Sequence, residues 1–323
     1  MILKSADLET AVSEFISLYP YILHDISLLF TKIINVMEKK CDLCGSTKKK
    51  LVKEENSYPI YKCKTCSLFY VSRTLVVEKG KIIGEYYSGE ESEIESNRRR
   101  YLGVSRFLLE KINFLRPEKG RLLDVGCGYG FFLLDAQHDG WDVYGTDLSS
   151  ISINYARKEN HLKNVWCVDL PELKLPKNSL NVINLTNVLE HVPCPMKTLN
   201  ECYDLLMENG ILVVRVPNMI FTQFFEFFRP MLEFFGVIKL NSISILASTP
   251  PIHLTGFSPK TLEKYFLSVG LETLEIMPSK LSSMASKNVI YKIFEVVVNI
   301  IYIVTFRQIN LSPTILAVAK KIG

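Results

Sequence analysis

With 323 residues, the chain is longer than one small domain and reads as one large domain carrying an appendage. Hydrophobic residues make up 48% and charged residues 22%, which excludes a disordered chain and supplies a sizeable core. The net charge of +4 permits a phosphate-bearing or anionic partner without demanding one.

Residues 1–40 read as a helical extension, with Phe15, Ile22, Leu29 and Ile33 among its apolar positions and Pro20 as a kink. Asp7, Glu9 and Glu14 stand where a secretory leader would carry basic residues, so a reducing, cytoplasmic setting is expected. Met37 could start the chain by itself, and residues 1–36 are expected to be dispensable.

Residues 41–84 form the next unit. Cys41-x-x-Cys44 and Cys63-x-x-Cys66 carry half of the eight cysteines, at the spacing of a four-thiolate zinc ribbon. Four thiolates leave no open coordination position, so the expected Zn2+ is structural. The lysines between the pairs (Lys48, Lys49, Lys50, Lys53, Lys62) offset that negative charge, or offer a grip on nucleic acid. A thioredoxin-like redox pair would need a βαβ setting that this short segment cannot supply.

Residues 85–100 are polar and read as a linker. From Tyr101 a helix to Leu115 leads into alternation. Strands are expected at 121–125, 142–146, 165–168, 180–185, 211–216, about 271–277 and about 314–319, with helices around 130–139, 150–159, 196–207 and 259–268. Such alternation predicts an α/β, Rossmann-like fold with a mostly parallel seven-stranded sheet. Two hydrophobic segments, 219–250 and 283–307, interrupt the domain that spans 101–323.

The strand Arg121–Val125 runs directly into Gly126-x-Gly128-x-Gly130 and an apolar helix. By itself this admits a tight turn with no ligand. Asp124 before the turn places a carboxylate where a cationic amino group could be held. Asp147, ending the second strand, suits two ribose hydroxyls, and Asp169, ending the third, lies at the same sheet edge.

With those acids stand Asn187-Val188-Leu189-Glu190-His191-Val192-Pro193, Leu205-Leu206-Met207-Glu208-Asn209-Gly210 and His253-Leu254-Thr255-Gly256-Phe257-Ser258. Together these segments resemble class I S-adenosylmethionine-dependent methyltransferases, in the subgroup found with ubiquinone-type and sugar-biosynthesis enzymes. The resemblance implies that Asp124, Gly126, Gly128 and Gly130 hold the methionine end of S-adenosylmethionine. It also places the ribose on Asp147 and Leu148, the adenine on Asp169 and Leu170, and Asn187 beside the sulfonium. Asn181 stands where relatives often carry Asp, at a position expected to face away from the chemistry.

Methyl transfer from a sulfonium is an in-line displacement, so positioning and exclusion of water can supply much of the rate. A base is needed only where the acceptor loses a proton, and His191 and His253 are the candidates; either could instead orient a loop. Cys194, bracketed by Pro193 and Pro195, reads as part of a rigid loop rather than a nucleophile. No Asn/Asp-Pro-Pro-Tyr/Phe motif is present, which disfavours amino-methylation of adenine in nucleic acid.

Phe221, Phe224, Phe225, Phe227 and Phe228 make an aromatic cluster where insertions of this fold cover the acceptor pocket. Val289–Phe306 is apolar except for Lys292, Glu295, Asn299 and Thr305. A charge at a bilayer centre costs roughly 2.5–3.5 kcal/mol, which argues for an amphipathic helix over a membrane span. The two hydrophobic segments either pack on each other or on the N-terminal helix, or form a lid for a lipid-linked acceptor with peripheral membrane contact. The expected function is methylation of a small-molecule, sugar, nucleotide-sugar, glycolipid or quinone-like acceptor. The alternatives are an RNA methyltransferase gripping its substrate with the zinc ribbon, and a non-catalytic cofactor-binding protein.

Overall fold

The computed structural model describes residues 40–56, 58–71, 87–234, 253–280 and 289–322. The expected N-terminal helix and the parts of the two hydrophobic segments at 235–250 and 283–288 lie outside the described residues.

The large sheet contains β4 (Arg121–Val125), β5 (Asp142–Thr146), β6 (Val165–Trp166), β7 (Leu180–Thr186), β8 (Leu206–Pro217), β10 (Leu271–Pro278) and β11 (Thr314–Lys321). Its order is β10-β11-β8-β7-β4-β5-β6. The five strands from β8 to β6 are parallel, while β11 runs antiparallel to both β8 and β10. The seven-stranded, mostly parallel sheet expected from the alternation is therefore present.

Both faces of this sheet are covered, which is why its strands are apolar runs rather than alternating ones. Successive residues point to opposite sides. Leu123, Ile183 and Leu212 pack with Leu199, Leu262 and Phe266 on one face. Leu122, Val182 and Val213 pack with Leu108, Ile112 and Leu133 on the other. The helices supplying these contacts are α1 (Glu91–Leu115), α2 (Phe131–His138), α4 (Pro195–Leu205) and α6 (Pro259–Ser268), with α3 (Ser150–Lys158) between β5 and β6.

The polar stretch expected as a linker differs: it is helical from Glu91 onward. Glu91 and Glu93 occupy the first turn, where negative charge suits the helix dipole. Glu95 pairs with Arg99 one turn on, at 3.1 Å. Polarity here marks the solvated start of a helix whose later turns bury Val104, Leu108 and Ile112.

The cysteine-bearing segment folds as β1 (Lys49–Glu55) and β2 (Tyr58–Cys63), joined to β3 (Phe69–Val71). It does not stand apart. β3 pairs with β9 (Thr255–Gly256) of the large domain, and Cys41, Cys63, Cys66 and Leu68 share one buried cluster with Phe257, Leu262 and Tyr265. Asp42 Oδ2 accepts hydrogen bonds from the Met196 amide and the Tyr265 hydroxyl, both at 3.0 Å.

Within the hydrophobic segments lie α5 (Met219–Phe234) and α7 (Val289–Val304), linked by the rings of Phe221 and Phe294 with centroids 6.0 Å apart. Among the described residues, no helix is long and apolar enough to cross a membrane.

Candidate functional site

The chain leaves β4 toward β5 and β6 on one side and returns to β7 and β8 on the other. A crevice opens where the strand order reverses, at the carboxyl end of β4. Gly126 begins the turn there with φ of +72°, and a Cβ on it would stand 2.5 Å from Val188 Cγ2. Only glycine meets both conditions. Its amide donates to the Thr146 carbonyl at 2.7 Å, tying the turn to β5.

Asp124 is buried, and its Oδ1 accepts from Asn184 Nδ2 at 2.7 Å. Burial pushes its carboxyl up to about 7; the Asn184 bond opposes this, and the Asp147 charge adds to it. Asp147 Oδ2 accepts from the Gly128 amide at 2.8 Å and Oδ1 from the Ser149 amide at 2.9 Å. Its carboxyl also lies above its ordinary value, burial outweighing those bonds. Asp169 caps a short turn through the Leu170 amide at 2.8 Å.

All three acids line one cavity of about 450 Å3, with Gly126, Gly128, Leu148, Leu170, Asn187 and His191. That lies within the range of small-ligand sites, roughly 300–1,000 Å3. Gly130 does not border it. That glycine starts α2, packed where a Cβ would be 2.5 Å from Leu162 Cδ1. Asn181 faces the opposite end of the sheet, where its Oδ1 accepts from the Arg121 amide.

One wall is formed by residues that the sequence did not single out. Asn97, Tyr101, Ser105 and Leu108 of α1 border the cavity, as do Tyr87 and Tyr129. Tyr129 donates to Glu93 Oε2 at 2.8 Å and meets Tyr87 edge-on at 4.9 Å. The apolar spacing of α1 was visible, but not which element it covers.

At the far end, Asn187 has φ of +56°. Its Oδ1 accepts from Arg215 Nη1 at 2.7 Å, and its Nδ2 donates to the Tyr101 hydroxyl at 3.3 Å. His191 borders the cavity and His253 does not, but their ring centroids are 4.8 Å apart. The connection is made by the main chain: the Glu190 carbonyl accepts from the Leu254 amide at 2.6 Å and from the Thr255 amide at 3.2 Å. Glu190 is buried, which raises its carboxyl to about 8 against its own amide and the Arg215 charge. Cys194 also lines the cavity, just ahead of α4.

In the small sheet, the sulfurs of Cys41, Cys44, Cys63 and Cys66 all lie within 4.8 Å of one another. Cys41 and Cys66 are 3.5 Å apart, and Cys44 and Cys63 are 3.6 Å apart. Four sulfurs at 2.3 Å from one zinc, arranged as a tetrahedron, would be about 3.8 Å apart. The residues present therefore fit a zinc ion with small adjustments.

A family model described as a methyltransferase domain matches residues 96–276, more than half of the chain. The chain belongs to this methyltransferase-domain family. An uncharacterized protein of Methanocaldococcus jannaschii is 29% identical over 151 residues, covering 42% of this chain and 64% of that protein. A ubiquinone biosynthesis O-methyltransferase of Coxiella burnetii is 30% identical over 111 residues, covering 33% and 47%. The chain thus spans about half to two thirds of the length of these relatives. Among solved structures, a Listeria monocytogenes protein assigned as an S-adenosylmethionine dependent methyltransferase matches with a TM-score of 0.50 and 15% identity. The match covers 69% of this chain and 99% of that one, and shows a shared fold. The methyltransferase-domain match takes in the glycine turn, all three acids and His191, and also His253. Residues 40–71, with their cysteines, lie outside it.

Proposed function

We propose that this methyltransferase-domain protein moves a methyl group from S-adenosylmethionine to a small-molecule acceptor of the sugar, nucleotide-sugar, quinone-like or lipid-linked kinds. One observation carries the reading: three acids and a glycine turn converge on a single cavity whose far end is His191. In this reading Asp124 holds the cofactor's amino group and Gly126 and Gly128 its methionine backbone. Asp147 and Leu148 take the ribose, Asp169 and Leu170 the adenine, and Asn187 lies beside the sulfonium. His191, with His253 next to it, stands at the acceptor end. There the acceptor has to be oriented and, where it carries a proton, relieved of it. The four cysteines hold a structural zinc, which braces β3 and, through it, the segment around β9.

The lipid-linked acceptor has support of its own. α5 exposes Phe224, Phe227 and Met231, and α7 exposes Ile293, Val296, Val297, Ile300 and Ile303. An apolar face of this size on two adjoining helices suits peripheral contact with a bilayer.

The test is transfer of tritium from methyl-labelled cofactor into a cell extract separated into RNA, lipid and small-molecule fractions. Label in the small-molecule or lipid fraction is expected. Label confined to RNA would overturn the acceptor class, and no label in any fraction would overturn the enzyme reading. Co-sedimentation with anionic liposomes at low salt checks the membrane contact, and protein left in the supernatant would refute it.

A further inference from the structure

Glu190 is a charged residue in an unusual position. It is 1% exposed, and its Oε2 meets no hydrogen-bond donor among the described residues. An ionised carboxylate removed from water costs several kcal/mol, so such a group keeps its proton unless a cation pairs with it or a metal takes it as a ligand. The buried cation whose charge it feels is Arg215, but that guanidinium donates to Ser279, Asn187 and the Lys280 carbonyl instead. The groups that do face Glu190 are imidazoles. His191 Nε2 lies 4.0 Å from its Oε1. One candidate ligand atom from each of Glu190, His191 and His253 lies within 4.8 Å of the other two.

We propose that Glu190, His191 and His253 form a metal centre distinct from the cysteine site, holding one divalent cation at the acceptor end of the cavity. Ligands at about 2.1 Å from one ion stand roughly 3–3.5 Å apart, so the two partly exposed rings need only a small rotation to close on it. The backbone already makes the approach: the Glu190 carbonyl holds the Leu254 and Thr255 amides, which brings His253 to His191 across a long sequence separation. Two imidazoles and one carboxylate suit zinc, cobalt(II), manganese(II) or iron(II), and leave coordination positions open. His191 borders the cavity, so those positions face the acceptor.

The centre also selects the acceptor, a step that rests on the methyl-transfer reading above. A cation favours an oxygen ligand, and a bound hydroxyl gives up its proton more readily than a free one. The acceptor is therefore an alcohol or phenol, best with an adjacent second oxygen that chelates. Its proton leaves to water, and its oxygen pair forms the new O–C bond. The S–C bond breaks with its electrons going to sulfur, giving the methyl ether, S-adenosylhomocysteine and a proton.

Cobalt(II) is the probe, added to protein whose cysteine site has first been filled with one zinc per chain. Calorimetry is expected to show one further site, and its visible spectrum to have nitrogen and oxygen character without a thiolate charge-transfer band. His253→Ala should weaken cobalt binding roughly tenfold or more, as loss of a ligand should cost at least what loss of an outer-shell partner does. Binding of S-adenosylhomocysteine should be unchanged in that variant, which shows that it is folded. His191→Ala gives a second loss of cobalt from the same site. No further cobalt site, or equal affinity in wild type and both variants, would overturn the metal centre. Cobalt binding without cofactor binding would leave the centre standing and sink the methyl-transfer reading. Transfer to a hydroxyl acceptor that resists a chelator would overturn the role in the reaction.

Discussion

Replacing Asp124 with asparagine is expected to stabilise the cofactor-free protein while weakening its hold on the cofactor. In the folded chain burial raises the Asp124 carboxyl to about 7, with Asn184 opposing and Asp147 adding. In the unfolded chain it ionises near its ordinary value of about 3.9. Between those values the folded state keeps a proton that the unfolded state has released, so stability falls as pH rises and levels off above about 7. At about 1.36 kcal/mol per unit, the loss between pH 5 and pH 8 is on the order of 3 kcal/mol. Asparagine does not titrate, and its amide oxygen can still accept from Asn184. The stability gap between Asp124→Asn and wild type should therefore widen by about that amount from pH 5 to pH 8, or roughly 4 °C in Tm. Asp147 titrates in both chains and largely cancels. Thermal unfolding at the two pH values measures the gap, and a gap that stays constant would refute the buried-charge argument. With S-adenosylhomocysteine present the variant's advantage should shrink, because a charge-assisted hydrogen bond of roughly 1.5–3 kcal/mol is missing from the variant.

Gly126→Ala forces a side chain into φ of +72° and against Val188. A loss on the order of 1–3 kcal/mol is expected by chemical denaturation, with cofactor affinity falling as the turn shifts. Tyr129→Phe removes the donor to Glu93 across the cavity wall. It should cost about 1 kcal/mol, read as a several-fold rise in cofactor Kd by calorimetry, and an unchanged Kd would show that this wall does not close on the ligand. If the four cysteines hold a structural zinc, Cys63→Ser should lower the zinc content below the one ion per chain expected for wild type, as measured by elemental analysis. Because its cluster is continuous with Phe257 and Tyr265, the whole chain should then unfold at lower temperature. A separate early transition, with the main one unmoved, would show an independent module instead.

The crevice was legible because it is local. A strand, a glycine turn and the acids at the ends of three successive strands are set by short stretches of chain, and parallel strands bring such ends to one edge. Asp124, Asp147 and Asp169 therefore meet in the cavity where their positions in the sequence suggested. The cysteine pairs were legible for the same reason, since each knuckle is four residues long. The start of α1 was not, because its polar first turns look like any solvated segment until its far end is seen buried.

Nothing local tells that Tyr129 reaches Glu93, that β3 joins β9, or that Leu254 and Thr255 hang from the carbonyl of Glu190. The sequence by itself determined the alternation, the turn and the types of residue that could bind a cofactor and a metal. Only the tertiary structure decided that Glu190, His191 and His253 come together, and that the cysteine segment shares the domain's core. These are contacts between segments far apart in the chain, fixed by the summed packing of the sheet rather than by any short pattern.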